Sequence, residues 1–249
     1  MLVLDWFKVA TKETYYALST PMGVSATATI RISGPKAIDI ISKTTKKPTG
    51  FFKHRVSNVL SIFNKNNGLI DQVVVTCFEK PSSYTGENMV EIHSHGNPTI
   101  IRNIFNRLST LGLRVANPGE FTKTAYLNKK IDLVQAEAIF NLINSRSTGA
   151  VDISLNNLSG SLSKRLLLIQ KSLIYALSLV EYELDITETD NLKNTQTQVM
   201  SSLDDTLKNT KALIKTHSAT KVISDGLRVV IVGKPNVGKS TLFNALLQY

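Results

Sequence analysis

Leu227-Arg-Val-Val-Ile-Val-Gly-Lys-Pro-Asn-Val-Gly-Lys-Ser-Thr-Leu-Phe-Asn-Ala-Leu-Leu247 decides how the rest of the chain is read. Gly233 to Ser240 fit G-x-x-x-x-G-K-[ST], the phosphate-binding loop. The flanks agree with the motif. Leu227–Val232 is a short apolar, β-branched run, which predicts a buried strand, and Leu242–Leu247 predicts the first turns of a helix. Strand, glycine loop and helix together aim backbone N–H groups and the positive end of a helix dipole at anionic oxygens. Gly233 and Gly238 permit the tight turn. Lys239 is placed to reach the β- and γ-phosphates, and the Ser240 hydroxyl to complete a Mg²⁺ shell.

A nucleotide domain of this class takes about 150 residues, whereas the sequence runs only to Tyr249. A later metal-binding Asp, a base-reading loop and a water-positioning residue are therefore expected to be missing. The expectation is of a truncated fragment that is inactive alone, with no catalytic residue of its own.

Working outward, composition narrows the class. The 249 residues contain no apolar run long enough to span a bilayer. Met1–Lys8 has too short an apolar stretch, and no basic region before it, to be a signal peptide. One cysteine, Cys77, rules out an internal disulfide framework and reads as a buried strand residue. These features predict a cytoplasmic protein without a membrane segment. The net charge of +10 is uneven: residues 1–130 carry 17 Lys/Arg against 8 Asp/Glu, and residues 131–249 carry 12 against 11. A basic first half is a candidate surface for nucleic acid, or simply a lysine-rich solvated one.

The first half alternates strands and helices. Strands are predicted at Ser25–Ile32, Val56–Phe63, Leu69–Phe78 and Met89–His93, with Asn66-Asn-Gly68 as turn chemistry. Pro35 is expected to open a helix running from Lys36 to about Lys43. Ile100, Ile101, Ile104, Phe105, Leu108 and Leu111 have helical spacing, with Gly112 as the stop. The second part is helical. Asp132 caps a helix through Asn144, and apolar steps of three and four from Leu155 to Leu184 predict one long amphipathic helix. The acidic stretch Glu181–Asp190 is expected to end it, and Gln196–Ser218 to form another. The fold class is thus an α+β N-terminal domain (1–118), an α-helical domain (119–224) and the start of an α/β P-loop domain (225–249).

Arg31, Glu91 and Lys130 stand out in the first half. Such residues, taken singly, are ordinarily solvated. His93 and His95 sit at i and i+2 on one side of a strand, too few ligands for a metal site.

A series of motifs then resembles one family. Ser19-Thr-Pro-Met-Gly23, Arg31-Ile-Ser-Gly-Pro35, Tyr84-Thr-Gly-Glu87, Glu91-Ile-His-Ser-His-Gly96, Pro118-Gly-Glu-Phe-Thr122, Ala125-Tyr-Leu-Asn128 and Asp132-Leu-Val-Gln-Ala-Glu-Ala138 follow one another as in the tRNA modification GTPases called MnmE or TrmE. The resemblance runs from about Tyr16 to Leu247. It implies a folate-binding N-terminal domain that also forms a homodimer, a helical domain, and a GTPase domain inserted into it. It implies addition of an aminomethyl-type group to the wobble uridine of tRNA, with an FAD-containing MnmG-type partner in a heterotetramer. The implied cofactors are 5-formyltetrahydrofolate or another reduced folate, GTP, Mg²⁺ and K⁺. Carried over by position, folate contacts fall on Arg31, Glu91 and Lys130, and GTP contacts on Asn236, Val237, Gly238, Lys239, Ser240 and Thr241. Ser240 takes magnesium and Asn236 potassium. A carboxylate such as Glu91 suits a row of pterin N–H donors, and Arg or Lys suits the carboxylates of a folate tail. Two stretches depart from the family: Met22-Gly-Val-Ser-Ala-Thr27 replaces a Gly/Arg-rich turn, and Ser94-His-Gly-Asn97 replaces Gly-His-Gly-Gly.

Two other readings compete. One is a folate-binding one-carbon transfer protein with an incidental P-loop. The other is an RNA-binding GTPase switch of the ribosome-assembly type, although such proteins usually begin near their P-loop.

Overall fold

The computed structural model describes residues 13–185, 192–225 and 230–247. The readings made on Met1–Lys8, on most of the acidic stretch beyond Asp185 and on Leu227–Val229 lie outside these residues. The chain divides into two compact units between Ala136 and Glu137.

The first unit is built on a six-stranded sheet. Its strands are β1 (Tyr15–Leu18), β2 (Ser25–Ser33), β3 (Ser57–Phe63), β4 (Leu69–Phe78), β5 (Met89–Gly96) and β6 (Arg114–Val115). Their spatial order is β3-β4-β5-β2-β1-β6, with only β1 and β6 parallel. Residues alternate between faces. Ile30, Ile32, Val73, Val75, Val90 and Ile92 turn to one face and are buried. They pack against Ile40 and Ile41 of α1 (Ala37–Thr45) and Ile104 and Leu108 of α2 (Pro98–Thr110), in the same core as Cys77 and Tyr16. The other face carries Thr29, Arg31 and Ser33 of β2 beside His93, Glu91 and Met89 of β5, each pair in direct cross-strand register.

Strand and helix chemistry explains these elements. In α2, Asn97 caps the first turn: its side-chain oxygen accepts from the backbone N–H of Thr99 at 2.8 Å, and Pro98 follows at a position that needs no donor. The Asn97 departure therefore supplies an N-cap. Gly96 is kept because a Cβ there would run into the Ser25 backbone. Helix α1 starts later than expected, at Ala37 with Lys36 as its cap residue, so Pro35 precedes the helix and does not open it. Strand β5 extends to Gly96, three residues past the expected end, because β2 pairs with it as far as Ser25.

Three elements have no counterpart in the sequence reading. They are the short strands β1 and β6, of which β6 is at the sheet edge, and α3 (Glu120–Leu127), which the sequence reading placed in the helical part beyond residue 118. Helix α3 packs within the first unit: the Tyr15 hydroxyl lies 2.7 Å from Thr124 Oγ1, and the Tyr15 and Phe121 ring centroids are 5.0 Å apart.

Helix α4 (Leu133–Asn144) opens with a reciprocal capping box. The Gln135 N–H donates to Asp132 Oδ1 at 2.9 Å, and the Asp132 N–H donates to Gln135 Oε1 at 3.0 Å. The second unit contains α5 (Thr148–Leu158), α6 (Ser161–Asp185), α7 (Leu192–Asp225) and α8 (Lys239–Leu246). Here the sequence reading needs correcting: the single helix expected from Leu155 onward is two helices. Gly160 sits between them at φ +85°, a left-handed conformation that ends a helix and that glycine adopts without strain. The apolar stripe continues in phase across the break, so periodicity alone could not reveal it. Helices α6 and α7 pack together, with the Ser202 hydroxyl donating to the Ser172 carbonyl at 3.1 Å. The small buried residues Ala150, Ser154, Ala176 and Thr206 belong to α5, α6 and α7.

Candidate functional site

Position 31 is where the polar face of the sheet becomes chemically distinctive. Arg31 and Glu91 are cross-strand partners in β2 and β5, so their side chains rise side by side. Arg31 donates from Nε at 3.0 Å and from Nη2 at 2.7 Å, both to Glu91 Oε1. Glu91 Oε2 accepts no hydrogen bond among the described residues. The guanidinium also lies 5.3 Å from the Tyr84 ring centroid and 5.5 Å from that of Phe121. The pair is mostly shielded, with side-chain exposures of 26% and 18%. Neither residue is an isolated solvated charge.

Lys130 approaches through the segment 80–87. Its Nζ donates to the Pro81 carbonyl at 3.0 Å, and Asn128 Nδ2 donates to the Thr85 carbonyl at 2.7 Å. Tyr84, from the same segment, faces Arg31 and has its hydroxyl 2.8 Å from Thr122 Oγ1. The three residues singled out in the sequence are therefore linked to one loop, Arg31 through Tyr84, Glu91 through its bonds to Arg31, and Lys130 through Pro81. Gly86 holds φ +78° in that loop. A Cβ there would come within 3.1 Å of Asn128 Cβ and 3.3 Å of Lys130 Cγ, so side-chain bulk at 86 would displace Lys130.

Sequence reasoning missed the groups that support this site. Ser33 donates to Glu87 Oε2 at 3.0 Å and lies 2.7 Å from Thr85 Oγ1. Burial pushes the Glu87 carboxyl above the usual range, against the opposing Ser33 bond. Burial likewise raises the Tyr15 phenol. Arg114 binds Glu120 through Nη1 at 2.9 Å and Nη2 at 2.5 Å, and Glu13 through Nε at 2.7 Å. The Arg114 bonds hold the Glu120 carboxyl below the usual range, and its two acidic partners raise Arg114. This pairing fixes the first turn of α3, next to Phe121. Tyr84-Thr-Gly-Glu87 and Pro118-Gly-Glu-Phe-Thr122 carried the signal in the sequence, but only as motifs without roles.

His93 and His95 are each held by a neighbouring side chain. His93 Nδ1 is 3.0 Å from Thr29 Oγ1, and His95 Nδ1 is 2.8 Å from Asp71 Oδ1. Among the described residues no cluster of three or more His, Cys, Asp or Glu could hold a metal ion. Cys77 is buried, and burial pushes its thiol up to about 12.

In the second unit, the glycine loop forms the turn the motif predicts. Asn236 (φ +61°) and Gly238 (φ +86°) are both left-handed, and Gly238 caps α8. Lys239 Nζ donates to the carbonyls of Gly233 at 3.1 Å and Lys234 at 2.6 Å, so it arches back over the loop. The preceding strand is a correction: residues 230–232 are not in a strand, and Val230 and Val232 are 79% and 87% exposed. A strand exists by pairing, and no strand among the described residues pairs with them.

A sheet domain with an aromatic-flanked Arg–Glu pair, then a helical unit ending in a phosphate loop, defines a multidomain P-loop protein. The family model described as the GTP-binding protein TrmE N-terminus matches residues 14–130, and that of the MnmE helical domain matches residues 133–242. The chain belongs to this TrmE/MnmE family. It is similar to the tRNA modification GTPase MnmE of Aquifex aeolicus (strain VF5), 38% identical over 237 residues, which is 95% of this chain and 53% of that one. The proteins of the same name from Endomicrobium trichonymphae and Fervidobacterium nodosum (strain ATCC 35602 / DSM 5306 / Rt17-B1) are each 40% identical over 239 residues. These cover 95% of this chain and 51% and 52% of the relatives. The chain thus spans about half the length of the curated relatives it matches.

Proposed function

We propose that this chain works in GTP-dependent tRNA modification, with its first unit holding a reduced folate. The observation that carries the reading is the convergence of Arg31, Glu91 and Lys130 on the 80–87 loop, in a chain whose relatives are named tRNA modification GTPases. The donor set fits the ligand. Glu91 Oε2 is uncommitted and can accept from pterin N–H groups. Tyr84 and Phe121 offer ring faces, and Lys130 Nζ keeps two further donors for a carboxylate. When bound, the folate supplies the one-carbon unit for the wobble uridine. This chain's part is to orient it: the Arg31 bonds fix the Glu91 side chain by Oε1 and leave Oε2 as an acceptor, and the Arg114–Glu120 clamp keeps Phe121 in place.

On the same reading, Asn236, Val237, Gly238, Lys239, Ser240 and Thr241 bind GTP. The Ser240 hydroxyl, exposed on the first turn of α8, serves magnesium, and Asn236 serves potassium. A homodimer through the first unit, a heterotetramer with an FAD-containing MnmG-type partner, and a cytoplasmic location belong to the proposal too. No helix among the described residues is long and apolar enough to cross a membrane. The test is mass-spectrometric analysis of tRNA nucleosides from cells with and without the gene. Loss of a C5-substituted wobble uridine, restored by the wild-type gene and not by Lys239→Ala, is expected. An unchanged nucleoside profile would remove tRNA modification from the account.

A further inference from the structure

A second polar surface lies away from the Arg31 site, between the β3–β4 turn and α2. The turn contributes Asn64, Lys65 and Asn66, and the helix contributes Asn103, Asn106 and Arg107. No carboxylate lines this groove. Arg107 Nε is shielded from solvent and has no hydrogen-bond partner among the described residues. A buried guanidinium N–H without an acceptor is costly, which marks a place where an acceptor from outside would be favoured. Asn64 Oδ1 is committed to the N–H groups of Asn66 at 2.9 Å and Gly68 at 2.8 Å, leaving its Nδ2 as a donor.

We propose that this groove binds the sugar–phosphate backbone of RNA. Guanidinium and ammonium groups neutralise phosphates, and amide side chains both donate to phosphate oxygens and accept from 2′-hydroxyls. An acidic peptide would ask for one cation per carboxylate, whereas four of the six polar lining side chains named are amides. The inference rests on the reading of tRNA as substrate and assigns that substrate a contact surface in the first unit, where the positive charge is concentrated.

The experiment is fluorescence anisotropy of the whole chain with labelled tRNA over a salt series. It compares wild type, Lys65→Gln/Arg107→Gln, and the control Lys43→Gln/Lys53→Gln, which removes two cations outside the groove. The groove variant should bind about tenfold more weakly at about 50 mM salt, and lower the slope of log K against log salt by about 2, one for each lost phosphate contact. The control should change affinity much less. Equal losses in the two double variants would overturn the groove assignment and leave the tRNA reading standing. No tRNA binding by wild type at low salt would overturn both. Poly-glutamate binding that the groove variant loses, with tRNA binding unchanged, would assign the groove to a protein partner and overturn the proposal. Should thermal melting show that Arg107→Gln unfolds the chain, Lys65→Gln alone should lower the slope by about 1, and Arg107→Lys should keep the slope while weakening binding.

Discussion

Removing either partner of the Arg31–Glu91 pair should destabilise the first unit, and the two losses should not add. Exposed ion pairs couple by about 0.2–1 kcal/mol, while breaking a fully buried pair costs about 3–5 kcal/mol. Exposures of 26% and 18% place this pair between those limits. Both hydrogen bonds end on one carboxylate oxygen, so they are not two independent charge-assisted bonds. A coupling of about 1.5 kcal/mol follows. Arg31→Ala should cost more than Glu91→Ala, because it also forfeits contacts with Tyr84 and Phe121 worth roughly 0.5–1 kcal/mol each. The assay is a double-mutant cycle by urea unfolding, followed in the near-ultraviolet tyrosine band, which reports on Tyr84 and Tyr15. A coupling below about 0.5 kcal/mol would refute the reasoning, since the pair would then behave as a solvated one.

Four further outcomes follow from other groups. Arg114 lowers the Glu120 carboxyl relative to the unfolded chain, so its stabilisation is full above the unfolded value of about 4.3 and is lost as pH falls through the lower folded value. Glu120→Gln should flatten that acid limb of a stability–pH profile. Glu87 has the opposite sign: its folded value is raised, so Glu87→Gln should stabilise at neutral pH and lose that advantage in acid, which thermal melts at two pH values would show. Asp132→Ala should cost about 1 kcal/mol by removing half of the capping box, measured by chemical unfolding. The Cys77 thiol, buried and pushed up to about 12, should react with a thiol reagent at pH 8 only after denaturant is added.

Much of this fold was legible because its signals are local. Strand β4 falls at Leu69–Phe78 as its β-branched run predicts, and α2 ends where Gly112 says it must. The Asp132 cap is visible as a residue type followed by Gln three positions on. What stayed hidden depends on partners distant in sequence. Tyr15–Leu18 is too short to announce itself and is a strand only because β2 and β6 flank it. Helix α3 joins the sheet domain through the Tyr15–Thr124 contact, 109 residues apart. Val230–Val232 shows the reverse case, a strand pattern without a strand to pair with. At the site, Arg31, Glu91 and Lys130 could be named from motifs. Their mutual geometry could not, because the ion pair needs the β2–β5 register and the link to Lys130 needs the 80–87 loop. Glu87 and Glu120 appeared only as motif members until burial of the one and the Arg114 bonds of the other set them apart.

Calorimetric titration of the chain with 5-formyltetrahydrofolate tests the central claim most directly. The account predicts saturable binding at one site, weakened about 10- to 150-fold by Arg31→Ala, which frees Glu91 and so forfeits a charge-assisted contact of roughly 1.5–3 kcal/mol. Glu91→Gln should do comparable harm, because an amide presents N–H donors where the pterin needs an acceptor. Absence of heat and of thermal stabilisation in a folded sample, or binding indifferent to both substitutions, would contradict it.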